Sequence, residues 1–84
     1  MKTAKEMREL TRKTNPINQY FEKRYAPEIE RLAEKGHDAI SIEVDTMPFK
    51  QSRPVICETI KDYVESFGYR TNIPAGSKKI HIYW

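Results

Sequence analysis

Polar and apolar positions along the chain fall into two rhythms, and each rhythm marks a different kind of element. The stretch Lys79-Ile80-His81-Ile82-Tyr83-Trp84 alternates strictly. Ile80, Ile82 and Trp84 therefore point one way, and Lys79, His81 and Tyr83 the other. β-Branched and aromatic residues fill most of this run, which suits a pleated, packed surface. Ala39-Ile40-Ser41-Ile42-Glu43-Val44 alternates in the same way and predicts a first strand. Tyr69 to Ile73 predicts a second, joined to the C-terminal strand by a turn over Pro74-Ala75-Gly76-Ser77.

Elsewhere the period is helical. Residues 3–13 predict a helix with Thr3 and Glu6 at capping-box spacing and a thin apolar stripe of Ala4, Met7 and Leu10. A stripe that thin predicts shallow packing. Asn15 and Pro16 suit the N-cap and first turn of a second helix. Its apolar face is Ile17, Tyr20, Phe21, Tyr25, Ile29, Leu32 and Ala33, and Gly36 closes it. Pro27 lacks a backbone donor, so this helix either kinks there or divides into two. After a loop over Asp45 to Ser52, a third helix starts near Pro54. Ile56, Ile60, Tyr63, Val64 and Phe67 predict its buried face, and Gly68 its end.

The order α-α-β-α-β-β predicts an α+β fold. Strands two and three form an antiparallel hairpin, while strands one and two, joined through a helix, permit a parallel right-handed crossover. Both conditions hold if strand three lies in the middle, giving the order 1-3-2 with helices two and three on the Ile80/Ile82/Trp84 face. With 84 residues the expectation is one domain, 1–84. So short a chain buries about 60–65% of its unfolded surface. A hydrophobic fraction of 38% and the many aromatics, Tyr20, Tyr25 and Tyr83 among them, point to a homo-oligomer.

Charge and chemistry narrow the function mostly by exclusion. The net charge is +3, and residues 1–37 hold 9 of the 15 basic and 6 of the 12 acidic side chains. That excess is mild for a nucleic-acid binder. The single cysteine, Cys57, excludes an internal disulfide and a cysteine-based zinc site, and its apolar neighbours predict a buried thiol. His37 and His81 are far apart and have no third ligand at metal spacing, so neither metal nor cofactor is expected. The glycine-rich, nucleophile-elbow and zinc-protease motifs are missing, and no nucleophile, base and orienting group can be named together. The expectation is therefore a protein that is not an enzyme. A charged N-terminus and the lack of a long apolar run predict a soluble protein of the cytoplasm. A winged-helix reading would send helix three into DNA. Its outer face carries Glu58, Asp62 and Glu65 against Lys61, a solvated acidic face that phosphates repel.

Thr3-Ala4-Lys5-Glu6-Met7-Arg8-Glu9-Leu10-Thr11, the helix ending Ala33-Glu34-Lys35-Gly36, the turn Phe67-Gly68-Tyr69 and the closing Ile82-Tyr83-Trp84 resemble small accessory proteins of phages that infect Gram-positive bacteria. The Tyr20–Pro27 stretch is more aromatic than that pattern. The resemblance implies a role in the host cytoplasm: sequestering a phosphorylated ligand such as a defence signal nucleotide, or inhibiting a host enzyme or defence protein by direct contact. Winged-helix-like nucleic-acid binding ranks third. If Tyr20, Phe21 and Tyr25 are buried, helix two offers no hot spot and the ligand reading gains.

The expected ligand site is the sheet face opposite the helices. It combines Ser41, Glu43, Arg70, Asn72, His81 and Tyr83, flanked by Lys78 and Lys79. Arg70, Lys78 and Lys79 would pair with phosphate, and Tyr83 beside His81 would stack on a base. The competing expectation is that the first helix, or a second subunit, simply covers this face.

Overall fold

The structure is a computed structural model that describes residues 1–74 and 78–84. The chain runs through α1 (Ala4–Thr14), α2 (Pro16–Glu34), β1 (Ala39–Glu43), a 3-10 turn (Val44–Thr46), α3 (Arg53–Glu65), β2 (Arg70–Asn72) and β3 (Lys79–Tyr83). Local signals set most of these bounds. The Glu6 amide donates to Thr3 Oγ1 (3.2 Å) and the Thr3 amide to Glu6 Oε1 (3.4 Å), which completes the capping box of α1. Asn15 Oδ1 accepts from the Ile17 amide (2.9 Å) at the start of α2. α2 is one helix across Pro27. It ends where Gly36 takes φ +90° and the His37 amide reaches back to the Leu32 carbonyl, 3.0 Å. α3 ends alike: Gly68 takes φ +93° and the Tyr69 amide donates to the Val64 carbonyl, 3.3 Å. Both glycines supply the left-handed residue that this type of helix ending requires. Of the expected turn over 74–77, residues 75–77 lie outside the described residues.

The sheet has the order β1-β3-β2, with both outer strands antiparallel to β3. Ile80 faces Ile42, and Ile82 faces Ile40 on one side and Thr71 on the other. Ile80 and Ile82 are 0% exposed, as is Ile60 of α3. α2 packs against β1 and α3, and α3 against β2 and the Val44 turn. One hydrophobic cluster results, with Tyr69, Ile73 and Trp84 packed at its margin. Tyr63 Oη donates to Glu22 Oε2 (3.0 Å), tying α3 to α2. Burial and that carboxylate together push the Tyr63 phenol up to about 12. Cys57 is buried, and burial raises its thiol.

Several expectations need correction. Phe67 is 64% exposed and not part of the buried face of α3. It lies beyond the last helical turn, where the chain bends toward Gly68, and meets Tyr63 edge-on (5.1 Å between centroids). Ala33 is exposed, and Val44 opens the 3-10 turn instead of ending β1. The outer face of α3 is more than a solvated acidic surface. Asp62 holds Arg12 of α1 through both carboxylate oxygens (2.7 and 3.2 Å), and Glu65 accepts from Thr71 Oγ1 (2.9 Å).

α1 itself buries no residue. Its second tie is Asn18, buried although polar, whose side-chain amide donates to the Arg12 carbonyl (2.9 Å). The radius of gyration, 13.2 Å, exceeds the roughly 12 Å expected of a compact chain of this length. A helix held along the side of the core by polar contacts accounts for the excess.

Two outcomes follow from this packing. Ile82→Ala should destabilise the fold by about 2–4 kcal/mol in urea denaturation, because a fully enclosed side chain leaves a cavity. Truncating the exposed Leu10 should stay within about 0.5 kcal/mol. The Arg12 guanidinium, through its hydrogen bonds, holds the Asp62 carboxyl below the usual aspartate range. A depressed carboxylate contributes stability above its unfolded pKa and loses it as pH falls through the folded one. Acidification below the ordinary aspartate range should therefore release α1 first. Hydrogen exchange should show α1 amides losing protection while β3 amides keep theirs, and Asp62→Asn should produce the same pattern at neutral pH.

Candidate functional site

The alternation that buries Ile80 and Ile82 turns Lys79, His81 and Tyr83 to the other side of the central strand. Register then places their neighbours. Tyr83 lies between Ala39 and Arg70, His81 between Ser41 and Asn72, and Lys79 opposite Glu43. Ser41, Glu43, Arg70, Asn72 and Lys79 are exposed, and His81 and Tyr83 are half-buried. α1 lies against α2 and α3 and not over this face, so the expected covering by the first helix does not occur within the chain.

Three contacts organise the surface. The Arg70 guanidinium sits 5.9 Å from the centroid of the Tyr83 ring, within cation–π range. Ser41 Oγ and His81 Nδ1 share a hydrogen bond of 2.6 Å, which fixes the imidazole across the strand pair. Lys79 stands opposite Glu43, the favourable arrangement for unlike charges on adjacent strands. Tyr83 thus keeps a flat ring beside a guanidinium. Among the described residues, Arg70 has no carboxylate partner at ion-pair distance.

Four of the five residues expected from the sequence come together here: Arg70, Lys79, His81 and Tyr83. Lys78 does not join them. Its ammonium lies 3.8 Å from Asp45, which also holds Arg53 at 3.2 Å. Lys78 lies one residue before β3, beside Asp45 and apart from the other four. Glu43 puts a carboxylate at the lower end of the surface, and an anionic ligand would seat toward Arg70.

The aromatics of α2 lie in the core or pack against it. Phe21 is buried, and Tyr20 and Tyr25 are half-buried, with Tyr20 edge-on to Phe49 (5.5 Å) and to Tyr25 (6.4 Å). α2 therefore keeps part of Tyr20 and Tyr25 open to solvent and no fully exposed ring. Among the described residues, no three His, Cys, Asp or Glu side chains gather as metal ligands would, and no helix is long and apolar enough to cross a membrane. Neither the burial of Asn18, which serves the turn between α1 and α2, nor the exposure of Phe67 follows from the hydrophobic pattern. Comparison with family profiles, curated proteins and solved structures finds no match.

Proposed function

We propose that this chain is a non-catalytic binding protein that holds a small phosphorylated ligand, a nucleotide by its chemistry, on the outer face of its sheet. The observation that supports this reading is the Tyr83 ring set beside Arg70, which among the described residues has no carboxylate partner, on the sheet face turned away from Ile80 and Ile82. A ring of that kind stacks on a base at about 1–3 kcal/mol, and a guanidinium in reach of the same ligand pairs with phosphate. His81, held by Ser41, and Asn72 offer hydrogen bonds to the edge of the base. The resemblance to small accessory phage proteins fits an anti-defence role in which a host nucleotide signal is sequestered in the host cytoplasm. A face this open encloses little, so the proposal includes a homo-oligomer in which two such faces share the ligand. The alternative, a protein inhibitor of a host enzyme or defence protein, draws on a different observation, the exposure of Phe67.

The test is a titration of isotopically labelled protein with a panel of nucleoside phosphates and cyclic dinucleotides. Amide shifts should centre on Arg70, His81 and Tyr83. Tyr83→Ala and Arg70→Ala should each weaken uptake about tenfold or more, and together abolish it, with Tm nearly unchanged. A fall of several degrees in Tm with binding intact would make these residues structural and defeat the proposal.

A further inference from the structure

α1 and the C-terminal end of α3 diverge to leave a cleft of about 690 Å³. Tyr63, Ser66 and Phe67 line one wall. The other is the side of α1 that carries Lys5, Arg8, Glu9, Arg12 and Lys13. Arg12 is spent on Asp62. Among the described residues, Lys5, Arg8 and Lys13 have no carboxylate at ion-pair distance, so with Glu9 the wall keeps an excess of two positive charges. Phe67 supplies an apolar ring, 64% exposed, directly across from them.

The spacing of these cations indicates what the cleft would take. From Lys5 to Lys13 the helix rises about 12 Å. A single phosphate needs donors that converge on one point, and these are strung along two turns. A linear row of cations beside an aromatic ring complements an extended or helical segment that carries spaced carboxylates and an apolar anchor. From this geometry we infer that the α1–α3 cleft is a docking site for an acidic, amphipathic helical segment of a partner protein. Its carboxylates would meet Lys5, Arg8 and Lys13, and its apolar side chain would pack on Phe67 and the edge of Tyr63. The inference is independent of what the sheet face binds. It also gives α1 a use: a helix that buries nothing in its own chain is free to present its charged side to another.

The competing account is internal. The last turn of α3 carries no basic residue, and the cations of α1 would then serve only to offset the negative end of that helix. A displayed library of helical peptides, with four acidic positions fixed and two apolar positions varied, separates the two, using the full-length protein as bait. The inference predicts enrichment over a charge-reversed library and binding that weakens as salt is raised. Enriched peptides should lose about tenfold or more in affinity against Arg8→Glu/Lys13→Glu and against Phe67→Ala, with Tm of both variants unchanged. Arg70→Ala/Tyr83→Ala should bind them as the parent does, which keeps failure of this site distinct from failure of the sheet face. No enrichment, equal binding by the cleft variants, or loss of Tm in the charge-reversal variant without loss of peptide binding would each overturn it. So would self-association through the cleft, seen as a change in sedimentation that Arg8→Glu/Lys13→Glu abolishes.

Discussion

The backbone of β3 is met by hydrogen-bonding partners on both sides, and that requirement orders the rest of the molecule. A central strand in so small a sheet can be buried on one face only if helices cover it, and α2 and α3 are the elements long and apolar enough to do so. Ile80 and Ile82 then have no solvent contact, and the pleat leaves their neighbours no choice of side. Shifting the register by one residue would bury Lys79 and His81 and expose both isoleucines, so the hydrophobic core and the composition of the open face are specified together. The same pairing aligns Tyr83 with Arg70 and His81 with Ser41 and Asn72. The composition of the open face follows from the packing of the other face and needs no separate folding device.

α1 obeys a different rule. It contributes nothing to the core and is fixed by directional polar contacts, a two-point Arg12–Asp62 pair and the Asn18 amide on the Arg12 carbonyl. Exposed pairs of this sort add little to global stability but set orientation. The chain therefore combines a packed unit, α2, α3 and the sheet, with an appended helix held by a charged pair. Local opening of such an element costs less than global unfolding, and that separation leaves one side of α1 available to the cleft.

The strands and their order were legible because alternation is a strong local signal and because hairpin and crossover together admit one central strand. Gly36 and Gly68 marked the two helix ends for a stated reason, their left-handed backbone. The positions that escaped depend on what surrounds an element as well as on its own pattern. Phe67 falls on the apolar side of α3 by spacing, yet helix geometry has ended before it is reached. The acidic face of α3 appears solvated until α1 is placed beside it. Asn18 sits between Ile17 and the polar Gln19, and its burial follows from the turn between two helices. Lys78 falls one residue before β3, and its approach to Asp45 depends on the Val44–Thr46 turn, which no local pattern announces. Of the candidate face, residues on β3 followed from parity alone, and Arg70 and Asn72 from the register of the hairpin.

The proposed ligand of the open sheet face is a small phosphorylated molecule that should stay with the folded chain. Native mass spectrometry of the protein purified gently from bacterial cells tests it most directly, since it weighs the folded chain with whatever it carries. The prediction is a mass above that of the chain or its oligomer by one small molecule, released on denaturation and carrying phosphorus. A bare polypeptide mass across growth conditions, or a retained partner protein with no small molecule, would contradict it.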